Sequence, residues 1–200
     1  MSFTIPNVLS ILRMALIPFF IIAVIDGNLP RALIVFIVAG VTDALDGFIA
    51  RFFNQESLLG AYLDPMADKL LLTSAYVALA IPNSLNGATA PIPGWVTVLV
   101  IARDVLIVTM VLVLFLSLGI RRFPPTILGK ATTVVQVVTV WLILSSGVWH
   151  NLDNVASYAV YLVALMTLVS GVGYVYRANR MVADARQRVP ADDPNLPPSP

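Results

Sequence analysis

The chain has 200 residues, of which 58% are hydrophobic and 12% charged, and its mean hydropathy is +0.89, whereas a soluble domain carries roughly 25% charged residues. A water-soluble globule is excluded. With 12 Lys and Arg against 11 Asp and Glu the net charge is +1, so bulk attraction to nucleic acid is excluded too, and the absence of cysteine removes disulfides, thiolate metal sites and Cys nucleophiles.

Crossing a hydrocarbon core of roughly 30 Å takes about 20 apolar residues in a helix. Such stretches occur at 6–26, 31–52, 58–82, 93–119, 126–148 and 155–176. Turn chemistry separates them: Asp26-Gly27-Asn28 with Pro30, then Ile81 to Gly87, then Pro124-Pro125, then His150 to Asn154. No alternating strand pattern accompanies them, and lipid tolerates only closed backbone hydrogen bonding. The expected fold is therefore all-α, a polytopic membrane protein of six transmembrane helices with antiparallel neighbours.

Loop charge sets the orientation, because Lys and Arg resist translocation. Arg51, Arg121, Arg122, Arg177, Arg180, Arg186 and Arg188 fall on one side and Arg31 on the other. Both termini are therefore expected in the cytoplasm, in the cell (inner) membrane. The apolar run after Arg13 lacks a small-residue cleavage pattern, so the first span is expected to be retained. Residues 181–200 contain five prolines and few apolar groups, and read as a disordered cytosolic tail beyond a membrane catalytic domain over 1–180.

Asp43 and Asp46 lie within the second span, Asp64 and Asp68 within the third, where an isolated carboxylate costs at least ~2.5 kcal/mol. At about 100° per residue, Asp43, Asp46, Gly47 and Ala50 share one sector, and so do Gly60, Asp64 and Asp68. The turn between the spans centres near Gln55, which brings Asp46 and Asp64 to one depth and Asp43 and Asp68 to another, about one helical turn deeper. Four carboxylates so close cannot all stay ionised without cations, and oxygen-only ligation selects hard divalent ions such as Mg²⁺ or Mn²⁺, two of which would neutralise the set. Gly47 and Gly60 leave room for a bulky polar substrate. The alternative, ion pairing of these acids with Arg51, Lys69 and Arg103, requires no glycines at fixed offsets.

Asp43-x-x-Asp46-Gly47-x-x-Ala50-Arg51, eight residues, then Gly60-x-x-x-Asp64-x-x-x-Asp68 resembles the full signature of the CDP-alcohol phosphatidyltransferases, with no signature position departing. Ile5-Pro6-Asn7-Val8-Leu9 with Arg13, Asp64 to Lys69, Ala102-Arg103-Asp104, and Leu128-Gly129-Lys130 with Gln136 are similar to the glycerophosphate-using and cardiolipin-synthesising branches. The resemblance implies a six-span enzyme, a homodimer, in which an acceptor hydroxyl attacks the phosphorus of CDP-diacylglycerol on the lipid side and CMP leaves. It also implies Asp43, Asp46 and Asp64 as ligands of two divalent ions, Asp68 as the general base that also contacts metal, and Gly47, Ala50, Arg51 and Gly60 bordering the CDP moiety.

The remaining intramembrane charges bear on the acceptor. Lys130 lies about five residues into the fifth span, near the expected depth of Asp46 and Asp64, with Thr133 on the same face and Arg121 and Arg122 before it as a funnel. Arg103 and Asp104 should find partners on other helices, Lys69 with Asp104 and Arg103 with a site carboxylate; contact of Arg103 with the acceptor is the other reading. His150, the one histidine, falls in an outer loop away from the acids. The expectation is transfer to glycerol 3-phosphate, forming phosphatidylglycerophosphate; phosphatidylglycerol as acceptor, giving cardiolipin, is the close alternative. A cation channel or carrier is a remote one, because the outer halves of the second and third spans, Leu33 to Val41 and Leu70 to Ala80, hold no charge.

Overall fold

In the computed structural model, which describes residues 5–52, 58–81, 92–118 and 126–187, six helices follow one another: α1 (Ile5–Ile25), α2 (Leu29–Phe52), α3 (Leu58–Leu79), α4 (Gly94–Leu118), α5 (Ile127–Ser146) and α6 (Asp153–Gln187), with a 3₁₀ turn (His150–Leu152) directly before the last. No strand occurs among the described residues. Five helices begin and end within a few residues of the expected spans. The sixth does not: it runs on to Gln187, past the expected end at 176 and into the stretch read as a disordered tail. Beyond Arg177 this segment is polar but rich in helix formers, Ala178, Met181, Ala183 and Ala185, and the first proline comes only at Pro190, so the helix continues where the apolar run has stopped.

Among the described residues four helices are long and apolar enough to cross a membrane, over Val8–Ile25, Gly94–Leu116, Ile127–Ser146 and Asp153–Ala183. The two helices that bear the acids, α2 and α3, are not among them. α2 carries Arg31, Asp43, Asp46 and Arg51, and α3 carries Asp64, Asp68 and Lys69.

Local chemistry sets the breaks. Gly27 takes φ 70°, a left-handed conformation that side chains resist, and the N–H groups of Asp26, Gly27 and Asn28 close onto the carbonyls of Ile22, Val24 and Ala23, ending α1 and turning the chain into α2. Thr126 caps α5, its hydroxyl accepting from the Gly129 N–H at 3.0 Å. Pro65 inside α3 has no N–H to donate to the Ala61 carbonyl, a local break in the ladder directly beside Asp64.

The helices pack as two groups. α1 lies along both α2 and α3, while direct contact between α2 and α3 is slight among the described residues; α6 lies against α4 and α5. The groups meet through α2 with α5 and through α3 with α4 and α5. Phe20, Val24, Phe36, Leu79, Val140, Ile143 and Val163 form one buried core with the small residues Ala32, Ala39, Ala75 and Ala156, which let backbones approach closely. Buried hydroxyls bond within the protein: Thr132 and Thr139 donate to the carbonyls of Leu128 and Val135 at 2.7 and 2.8 Å, and Thr97 to that of Tyr76 at 3.1 Å. Large apolar side chains such as Phe19, Ile34, Val98, Leu116 and Val172 point outward instead, the arrangement expected where the surrounding solvent is hydrocarbon.

Candidate active site

The site begins on α1. Ser10 and Arg13, three residues apart and so on one helix face, are both fully buried. Ser10 donates its hydroxyl to Asp64 Oδ1 of α3 in a short hydrogen bond. Arg13 Nη1 stands 2.8 Å from Asp43 Oδ1 of α2 and 2.6 Å from Asp68 Oδ1 of α3. One nitrogen atom thus joins carboxylates from the two helices, and α1 acts as the strap between them. Asp43 and Asp68 come to one depth, as the hairpin arithmetic requires. The side chains of Asp46, Gly47, Ala50, Arg51 and Gly60 lie outside the described residues, as do Arg121 and Arg122; the backbone at positions 46–51 and 60 is helical.

Among the described residues the cation at these acids is Arg13, and of the three that the sequence offered, Arg51 lies outside the described residues. Lys69 Nζ lies 2.5 Å from Asp104 Oδ2, as expected. Arg103 corrects the expectation: it binds its neighbour Asp104 at 2.8 Å and donates to Ser170 Oγ of α6 at 2.9 Å, and no site carboxylate is among these partners. The reason is reach. Adjacent side chains leave the helix about 100° apart, but a long guanidinium folds back over a short carboxylate, and α6 supplies both Ser170 and the Tyr174 ring, 5.5 Å from the Arg103 Cζ. Arg13 had a legible signal, a single cation in a helix otherwise without charge, with Ser10 one turn before it. Its partners lie 30 and more residues away in sequence, so the pairing itself was not legible.

A second region adjoins through Lys69, the residue after Asp68. A cavity of about 230 Å³ is lined by Lys69, Arg103, Asp104, Lys130, Thr133 and Tyr174. Three cations face one carboxylate there, and Lys130 and Thr133 share the cavity as their spacing on one helix face requires. Gly129 permits this corner: a Cβ at that position would collide with the Tyr174 hydroxyl. On the other side of Arg103, a larger groove of about 500 Å³ runs between α4 and α6 from Leu99 to Asn179, mostly apolar, with Thr167 and Gly171 in its wall. Arg103 borders both.

The donor chemistry at the acids fits a hard divalent ion. Every described donor is a carboxylate oxygen, two of them share one nitrogen, and Asp43 and Asp68 are 45% and 48% exposed, so each keeps an open face that the buried Arg13 does not cover. As they stand, no three described carboxylates or imidazoles are grouped to hold a metal, and the Arg13 guanidinium bridges Asp43 and Asp68.

Comparison with known proteins extends this geometry. The model of the CDP-alcohol phosphatidyltransferase family matches residues 3–173. The chain belongs to that family. It is 32% identical to the CDP-diacylglycerol–glycerol-3-phosphate 3-phosphatidyltransferase of Escherichia coli, over 92% of this chain and 100% of that protein. It is 35% identical to a probable phosphatidylglycerophosphate synthase of Mycobacterium tuberculosis, over 90% and 84%, and 34% identical to the human CMP-forming cardiolipin synthase, over 90% and 63%. The chain spans 56% to 63% of the length of the animal cardiolipin synthases that it matches. Both acceptor types that the residues left open are thus represented among its relatives.

Proposed function

We propose that this chain transfers the phosphatidyl group from CDP-diacylglycerol to glycerol 3-phosphate, releasing CMP and forming phosphatidylglycerophosphate, as a six-span, homodimeric enzyme of the cell (inner) membrane with both termini in the cytoplasm. The observation that carries this reading is the cavity lined by Lys69, the residue after Asp68, in which Lys69, Arg103 and Lys130 outnumber Asp104. A soluble phosphate dianion entering a region rich in carboxylates requires such an excess of positive charge.

In this reading Asp68 takes the proton from the acceptor hydroxyl, whose oxygen then attacks the phosphorus bearing the diacylglycerol. The bond from that phosphorus to the CMP oxygen breaks, and CMP leaves. Two Mg²⁺ or Mn²⁺ ions, held by Asp43, Asp46, Asp64 and Asp68, would supply charge stabilisation to the pyrophosphate. Gly47, Ala50, Arg51 and Gly60 border the CDP moiety, while Lys130, Thr133 and Arg103 hold the acceptor phosphate so that its hydroxyl faces Asp68, with Arg121 and Arg122 as the approach. Positioning of this kind is most of what phosphoryl transfer asks of a protein.

One observation favours a second acceptor, phosphatidylglycerol. The groove between α4 and α6 is apolar and adjoins the cationic cavity at Arg103, and the Nε of Arg103 and the hydroxyl of Thr167 have no hydrogen-bond partner among the described residues. A lipid acceptor could lay a chain there. Purified protein given radiolabelled CDP-diacylglycerol with each acceptor in turn decides between them: label in phosphatidylglycerophosphate supports the first reading, label in cardiolipin alone the second. Gly171→Leu, which fills the groove, should impair only a lipid acceptor.

A further inference from the structure

Arg13 stands outside the signature and outside the roles assigned above, yet it holds the centre of the site. Its guanidinium is fully buried, whereas the two carboxylates it joins are nearly half exposed. Charged residues in lipid persist only with partners, and here the partners are the acids proposed to bind divalent ions. Ser10, one turn earlier, does for Asp64 what Arg13 does for Asp43 and Asp68, but without charge. From this contrast we infer that Arg13 is the resident counter-cation of the acidic site, a positioning residue that holds Asp43 and Asp68 together before a divalent ion arrives and sets how tightly that ion binds. The inference rests on the metal reading proposed above.

Two effects of opposite sign follow. Without metal, Arg13 offsets the mutual repulsion of carboxylates gathered from two helices, so the site is assembled in advance. With metal, its positive charge works against the incoming ion across a few ångströms of poorly screened medium. A neutral residue at position 13 should therefore weaken the metal-free protein and strengthen metal binding at the same time. A residue that merely fills space would do the first without the second.

The test measures Mn²⁺ binding to full-length protein in detergent micelles by electron paramagnetic resonance, with thermal unfolding followed with and without Mg²⁺. Arg13→Met should bind Mn²⁺ at least about tenfold more tightly than the wild type, as expected for removal of a unit charge at such range, and its melting temperature should rise more on adding Mg²⁺. Arg13→Gln, purified with Mg²⁺ throughout, provides a second neutral variant with the same expected result. Arg13→Lys keeps the charge and should stay within about threefold of the wild type, as should Ser10→Ala, which removes a neutral donor. Unchanged or weaker Mn²⁺ binding in the neutral variants, or equal tightening in Ser10→Ala, overturns the assignment of Arg13. Absence of Mn²⁺ binding by the wild type overturns the metal reading itself, and with it this inference.

Discussion

Lys69 of α3 and Asp104 of α4 are joined by an ion pair of 2.5 Å, and Lys69 directly follows Asp68. This pair, with Arg103 on the other oxygen of Asp104, ties the helical turn that carries Asp68 to the second group of helices. Asp104 is 17% exposed and Arg103 7%, but Lys69 is 46% exposed, so the two cations depend on the carboxylate unequally. Asp104→Ala leaves a buried guanidinium without its carboxylate and should destabilise by about 3–5 kcal/mol. Lys69→Met removes a partly solvated partner and should cost about 1 kcal/mol or less. Thermal unfolding in one detergent compares them, and equal losses would show that Arg103 does not rely on Asp104.

The carboxylates should make activity wholly dependent on a divalent ion. A chelator should abolish transfer from CDP-diacylglycerol, and Mg²⁺ or Mn²⁺ should restore it, while Asp43→Asn and Asp64→Asn should stay inactive at any practical metal concentration. Undiminished turnover in excess chelator would remove the two-metal reading.

Asp68 should differ in kind from the other acids. Asp68→Asn should retain binding of CDP-diacylglycerol and lose transfer by at least ~10²-fold, the usual contribution of a general base. Parallel loss of binding and transfer would make Asp68 chiefly a ligand.

Lys130 should act on the acceptor alone. It lines the cationic cavity while standing exposed on its own helix, so losing one charge-assisted contact of ~1.5–3 kcal/mol should let Lys130→Met raise KM for glycerol 3-phosphate at least about tenfold. KM for CDP-diacylglycerol should change little. Equal weakening for both substrates would mark Lys130 as a packing residue.

Helix number and five of the six pairs of helix ends were legible in the sequence because each is a local property. Apolar length sets a helix, Gly27 and Thr126 end or begin one, and a spacing of three or four residues sets a face. Even the common depth of Asp43 and Asp68 follows from counting away from a single turn. The run of α6 to Gln187 is not legible from hydropathy, which marks the apolar span alone, because helix propensity extends the helix past it. What lies next to the acids was decided only by packing. α1 sits along both α2 and α3, and this brings Arg13 to Asp43 and Asp68 and Ser10 to Asp64 across more than 50 positions for the α3 partners. The same holds for Arg103, whose partners Ser170 and Tyr174 come from α6. A sequence states which residues can be charged inside a membrane; because buried charge is stable only when matched, the tertiary arrangement chooses the match.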